Sequence, residues 1–325
     1  MVRFLIRRLL FAILVLFIVS FIVFFIFYVV KSEPPLSRAA SFAPKGANKL
    51  ALEQIVRRLH FDQPWYDQYG HFLDRLVLHG DLGTDFVTQS PVKAELLSRL
   101  PVTASLAIGS AVLWLAMGIP FGILAATKPR SIRDRAATVF ALTFYSIPTF
   151  VLGLLLLLIF YYYFRIKLHI NIYQYGSYTP ITQDPWEWFK ALYLPWLTIA
   201  LVFAASYSRV TRGSMLDVLG EDYIRTARAK GLSERKVIYK HGLRSALTPI
   251  ITILGVDFGV LLGGAVVTEQ IFALPGIGVF SLRAVFAGDL PVVSATVLVA
   301  AAFVVFANLI VDIAYAFLDP RVRLS

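Results

Sequence analysis

Gly220-Glu221-Asp222-Tyr223-Ile224-Arg225-Thr226-Ala227-Arg228-Ala229-Lys230-Gly231-Leu232-Ser233-Glu234 is a short polar insert between two long apolar runs. Its residues spell helix, glycine corner, helix. Glu221 and Asp222 stand where a helix N-terminus favours anions, and Arg228 and Lys230 where its C-terminus favours cations. Gly231 is placed to follow that helix in a left-handed conformation that costs glycine nothing. Ser233 is expected to N-cap a second helix, with Glu234 in its first turn.

Working outward, the chain is too apolar for a soluble domain. Of its 325 residues 58% are hydrophobic, and mean hydropathy is +0.71, where soluble domains run at about 45–50% apolar. An all-α polytopic membrane protein with six transmembrane helices is the direct reading. The spans are expected at about 9–30, 103–127, 137–164, 191–210 (broken early by Pro195), 249–272 and 291–318. The first has a basic start, no small-residue cleavage site and more than ~20 apolar residues, so it reads as a retained span. Residues 31–100 form a polar segment with helical spacing at Leu50–Leu59 and Tyr66–Leu78 and a turn at Gly80-Asp81-Leu82-Gly83.

The net charge of +11 is a topology signal. With the N-terminus inside, the inner segments hold Arg3, Arg7 and Arg8, the turn Lys128–Arg135, the polar insert, Arg321 and Arg323. The short outer loops hold only Arg165, Lys167, Lys190 and Arg283. Segment 31–100 carries nine basic residues, but segments beyond ~60 residues escape the positive-inside rule. The polar insert therefore falls in the cytoplasm and segment 31–100 outside. Tyr173, Tyr175, Tyr178, Trp186 and Trp188 fit an interfacial aromatic belt.

Several chemistries are missing from the sequence. There is no cysteine for a disulfide or thiolate site. No Gly-x-x-x-x-Gly-Lys-Ser/Thr occurs to hold ATP, no His-Glu-x-x-His and no Gly-x-Ser-x-Gly. His60, His71, His79, His169 and His241 are scattered through polar segments, where a surface histidine is the default. Within the spans, Gly255, Gly259 and Gly263 form a stripe that lets another helix approach. Asp257 lies about 160° around the helix from that stripe, and Glu269 near the outer end of the same expected span. Ionisable groups there rarely face lipid. Each is open to two readings, a polar wall of a translocation path or an interhelical hydrogen bond.

The insert, with Ala227, Gly231 and Leu243 spaced as they are, resembles the EAA loop of ATP-binding-cassette (ABC) importer permeases. The words Asp222–Gly231 and His241-Gly242-Leu243-Arg244 look most like the dipeptide/oligopeptide/nickel branch, and within it the first permease of the pair. Arg225-Thr226 stand where the general motif has Glu-Ala, and Arg244 replaces its late proline. Other words resemble the branch in order and spacing: Gln63-Pro64-Trp65-Tyr66, Gln68-Tyr69, Gly80–Thr84, Pro91-Val92, Ser146-Ile147-Pro148-Thr149-Phe150, Pro275-Gly276-Ile277-Gly278 and Asp319–Arg323.

The resemblance implies a type I ABC importer permease fold: a first span (1–30), an extracytoplasmic segment (31–100), a permease core (101–318) with its cytoplasmic coupling loop (212–248), and a tail (319–325). It implies that Tyr223, Ile224, Arg225, Thr226, Ala227, Arg228, Ala229, Lys230 and Gly231 couple to an ATPase. It puts Pro148, Asp257 and Glu269 at a translocation path or gate. It implies a second homologous permease, two cytoplasmic ATPases that hold the ATP and magnesium, and an extracytoplasmic binding protein delivering short peptides; nickel or sugar import stays open. An intramembrane hydrolase or a passive channel is the alternative of another class. A channel has no need for a docking loop, and a hydrolase acts without partners.

Overall fold

The computed structural model describes residues 2–29, 34–44, 46–170 and 173–318. The tail 319–325 lies outside them. Among the described residues five helices are long and apolar enough to cross a membrane, and one bent helix pair makes a sixth candidate. In chain order the elements are α1 (Val2–Phe24, prolonged to Val29), α2 (Pro35–Ala40), α3 (Lys49–Leu59), α4 (Trp65–Leu73), α5 (Val92–Thr127), α6 (Ile132–Ser146) and α7 (Thr149–Leu157). They continue as α8 (Pro185–Leu219), α9 (Asp222–Ala229), α10 (Glu234–Lys236), α11 (Leu243–Leu262), α12 (Val266–Ile271), α13 (Ile277–Ala287) and α14 (Leu290–Leu318).

Three expected spans differ in the structure. The third is not one helix, because α6 and the α7 helix bend by 96° at their junction. Ile147 there is extended (φ −83, ψ 123), as a residue before proline prefers, and Pro148 starts α7. The fourth is not broken at Pro195. The α8 helix runs unbroken through it, held by Leu192, Leu194, Ile199 and Ala200, all buried in the main core. The fifth ends at Leu262. Gly263 caps it and Gly264 turns with φ +127, a conformation open to glycine, so Glu269 belongs to the separate short helix α12.

The bundle is built on close approach at small residues. The α5 and α8 helices pack where Gly118 and Gly122 meet Ala204, Tyr207 and Thr211. The stripe Gly255, Gly259, Gly263 packs on Val311, Val304 and Ala300 of α14, as a small-residue stripe should. Polar ties join helices elsewhere. The Arg212 guanidinium donates to both Asp134 oxygens (2.7 and 3.1 Å), joining α8 to the first turn of α6. Arg8 of α1 pairs with Asp312 of α14 at 3.1 Å. The outward face of α1, with Leu9, Leu10, Phe11, Ile13 and Phe17, stays exposed in the isolated chain and suits lipid.

The segment between α1 and α5 is more than an amphipathic cap. Phe24 and Tyr28 at the end of α1 cluster with Phe42, Phe61, Tyr69 and Phe72 into an aromatic core of its own. Ring pairs there sit at 4.7–6.2 Å, the favourable range for tilted and edge contacts. The segment is latched to the far end of the chain where the Phe86 N–H donates to Asp289 at 2.6 Å.

The stripe generates a stability prediction. A Cβ on Gly259 would lie 2.8 Å from the Val304 Cα, which is backbone and cannot give way, whereas a Cβ on Gly213 meets nothing within 4 Å. Gly259→Val is expected to destabilise by about 1–3 kcal/mol from overpacking. Gly213→Ala should stabilise by about 0.5–1 kcal/mol through helix propensity. Thermal unfolding in detergent reads both; a Gly259→Val protein as stable as the parent would contradict this packing.

Candidate functional site

The polar insert folds as a compact knob between α8 and α11. Helix α9 is amphipathic: Ile224 and Ala227 are buried with Val237 against Val218 and Leu219. Gly231 takes φ +73 and donates its N–H to Arg228 O at 2.9 Å, so the glycine corner expected from sequence is present. Ser233 occupies the N-cap position of α10, but its side chain makes no capping bond, contrary to expectation. The corner is closed instead by Arg228, whose guanidinium donates to both Glu234 oxygens at 2.8 and 3.2 Å. The Tyr223 hydroxyl donates to Ser245 Oγ at 3.0 Å, reaching the start of α11.

Ile224 and Ala227 therefore face the chain itself. Tyr223, Arg225, Thr226, Arg228, Ala229, Lys230 and Gly231 are exposed and form the free surface of the knob. Arg228 also sits beside an acid, and that contact with Glu234 raises its already high pKa. The guanidinium stays charged at every physiological pH.

Pro148, Asp257 and Glu269 have separate surroundings, and no hydrogen bond or ion pair joins them among the described residues. Pro148 stands at the α6–α7 break. The residues after it, Thr149 and Phe150, line an open cleft of about 450 Å³ whose other wall includes Ile199, Phe203, Gly264 and Val267. Asp257 accepts a hydrogen bond from the Tyr207 hydroxyl at 2.9 Å. Tyr207, on α8, is itself buried and packs on Gly118. The polar partner on a further helix is thus present.

Glu269 is fully buried, at 0% exposure. One carboxylate oxygen accepts from Thr103 Oγ1 at 2.9 Å; the other accepts from the Val279 N–H at 2.9 Å. The Ile277 N–H donates to Thr103 Oγ1, also at 2.9 Å. The carboxylate and the threonine together satisfy the first turn of α13, where orphan N–H groups and the helix dipole favour an anion. The glycines of Pro275-Gly276-Ile277-Gly278 follow from this. A Cβ on Gly276 would strike the Glu269 carboxylate, and one on Gly278 would lie 2.9 Å from the Val266 Cα. Sequence reasoning missed Thr103 and Tyr207. Each has other polar residues near it on its helix, Ser105 near Thr103 and Ser206 and Ser208 beside Tyr207, and only the fold shows which acid it meets.

The family of binding-protein-dependent transport system inner membrane components matches residues 118–324. Its N-terminal companion, binding-protein-dependent transport system membrane component, matches residues 1–107. The chain belongs to this family of inner membrane transport components. Two relatives span nearly all of it. The glutathione transport system permease of Escherichia coli O6:H1 is 38% identical over 99% of both chains. The dipeptide transport system permease of Escherichia coli K12 is 34% identical, also over 99% of both. Among solved structures, an inward-facing methionine ABC transporter, MetNI, matches with a TM-score of 0.53 at 19% identity, covering 70% of this chain and 97% of that one. That likeness shows a type I ABC importer permease fold. No group of three or more metal-ligating side chains occurs among the described residues.

The Thr103–Glu269 contact is testable in this inner membrane component by itself. Thr103→Val leaves the Ile277 N–H unpaired and is expected to cost about 1–3 kcal/mol. Thr103→Ser keeps the hydroxyl and should cost less than half of that. Thermal unfolding that ranks Val equal to Ser would contradict the geometry.

Proposed function

We propose that this chain is the permease subunit of an ATP-driven ABC importer for short peptides. The observation that carries this reading is its similarity, along nearly the full length, to permeases named for dipeptide and glutathione transport. The substrate class follows from those names. In this reading the chain forms half of a translocation path with a second, homologous permease. Two cytoplasmic ATPases, which bind the ATP and magnesium, dock on the knob; the chain contributes no nucleotide site and no catalytic residue. A binding protein delivers the peptide from the other side. The protein sits in a bacterial cytoplasmic membrane with both termini in the cytoplasm, as the basic residues suggest.

The geometry supports a coupling role for the knob. Burial of Ile224 and Ala227 and the Arg228–Glu234 pair make α9 a body that moves with α8 and α11. Docking then falls to its exposed residues, Tyr223, Arg225, Thr226 and Ala229 to Gly231. Pro148 and the cleft beside it serve the path, where a bent helix pair presents Thr149 and Phe150. Asp257, joined to Tyr207, serves the bundle in this reading. Glu269 anchors the turn before α13.

Two experiments test the reading. A single cysteine at Ser233 is expected to resist an impermeant maleimide in intact spheroplasts, while one at Thr88 is labelled; labelling at Ser233 would overturn the topology. Gly231→Val forces a β-branched residue into a left-handed conformation, at a cost of order 1–3 kcal/mol. Uptake of a labelled dipeptide should fall severalfold with membrane insertion unchanged. Normal uptake in that variant would contradict the coupling role of the corner.

A further inference from the structure

Two clefts follow one another along the seam between α8 and the bent pair α6–α7. The first is the cleft beside Pro148, walled by Thr149, Phe150, Ile199 and Phe203, and no ionisable side chain lines it. The second holds about 220 Å³ and is lined by Ala137, Thr138, Leu142, Ser208, Arg209 and Arg212. On α8, Arg209 follows Phe203 by six residues, roughly 9 Å at ~1.5 Å per residue. On the other wall, Tyr145 and Thr149 flank the Pro148 bend. The seam therefore leads from an apolar cleft into one that carries charge.

Two cations border the second cleft, and only one of them is neutralised. Arg212 donates to both oxygens of Asp134. Arg209 is exposed in the isolated chain and has no ion pair or hydrogen bond among the described residues. Its guanidinium lies over the Tyr145 ring, 4.5 Å from the centroid. Asp257 does not supply the missing charge. It is held by Tyr207, and about 200° of helix rotation separates Tyr207 from Arg209 at ~100° per residue. The α8 helix is one of those long and apolar enough to cross a membrane, and an ionisable group on such a helix rarely faces lipid. A guanidinium stacked on a ring keeps its N–H edge free, and that edge holds a carboxylate by two parallel hydrogen bonds.

We propose that Arg209 is a carboxylate seat on the translocation path, taking the C-terminal carboxylate of the transported peptide. This role rests on the peptide-importer reading above and adds to it the substrate feature that the permease itself recognises. The terminal carboxylate is the one anion that every unmodified short peptide carries, so a single arginine serves peptides of any side chain. The cleft has room on the order of seven waters at ~30 Å³ each. That suits a carboxylate and its Cα, not a whole peptide. The remainder of the substrate then lies along the apolar cleft at Thr149 and Phe150. One exposed charge holds it weakly enough to let it leave, as passage requires.

The test uses the assembled complex in proteoliposomes with its binding protein. Uptake of labelled dialanine is compared with uptake of dialanine amide, each at a concentration that saturates the binding protein. The ratio of the two rates is independent of how much complex a variant assembles. The parent should favour the free acid by at least about tenfold, the worth of one charge-assisted contact, and Arg209→Gln should bring the ratio to about one. Arg209→Lys keeps the charge without the fork and should fall between them. Tyr145→Leu removes the ring that orients the guanidinium and should lower the ratio by a smaller factor, which covers an Arg209 variant that does not assemble. A dipeptide ending in p-benzoylphenylalanine should photo-crosslink to residues 137–145 or 206–212 in the parent. A ratio left unchanged by Arg209→Gln would overturn the proposal; that is the result expected if Arg209 instead pairs with an acid of the second permease or with a lipid phosphate. Absence of the crosslink would also overturn it. Failure of the parent to take up either peptide would overturn the importer reading as well, whereas dialanine uptake with an unchanged ratio overturns this role alone.

Discussion

The Glu269 carboxylate is fully buried and takes its solvation from protein groups. A buried carboxylate without partners costs several kcal/mol or gives up its charge. Here the partners are the Thr103 hydroxyl from α5 and the N–H groups at the head of α13. Those contacts hold three elements in one geometry: the N-terminal part of α5, the short helix α12 that follows the α11 turn, and α13. Much of the chain's irregularity serves this arrangement. The α11 helix stops early at Gly263, Gly264 takes φ +127, and Gly276 and Gly278 clear space for the carboxylate and for Val266. The single span expected at 249–272 becomes a helix that stops at Leu262, a glycine turn and the short helix α12.

This explains what the sequence shows and what it hides. Long apolar runs are visible because lipid demands them, and the six crossings are legible at that level. The glycine stripe 255–259–263 is legible because close helix approach leaves a period of four. The glycine corner at Gly231 is legible because a left-handed residue after a cationic helix end has few alternatives. Partners across the bundle are not legible. Nothing local to Thr103 announces Glu269, and nothing local to Tyr207 announces Asp257; those pairs are fixed by how helices pack. Proline is a third case. Pro148 ends a helix because its preceding residue turns extended, while Pro195 sits inside one that tertiary packing carries through. The same residue type gives opposite outcomes, and context decides.

The knob and the membrane core are mechanically one object. Helix α9 buries Ile224 and Ala227 on the end of α8 and on Val237, and Tyr223 reaches Ser245 at the start of α11. The α8 helix continues without a break from that knob to Pro185 at the far side, and it carries Tyr207, the partner of Asp257. A force applied to the exposed face of α9 therefore reaches the α5–α8 and α8–α11 contacts without passing through a flexible loop. In the proposed reading, that continuity is how an ATPase docked on α9 would act on the membrane core.

The most direct measurement is site-directed cross-linking of that face. The chain has no cysteine, so single cysteines at Ala229 and at Ile224 can be compared against a cysteine-bearing ABC ATPase subunit that copurifies with the chain. The account predicts a cross-link from the exposed Ala229 and none from the buried Ile224. A cross-link at Ile224, or none anywhere on the exposed face from Tyr223 to Gly231, would contradict it.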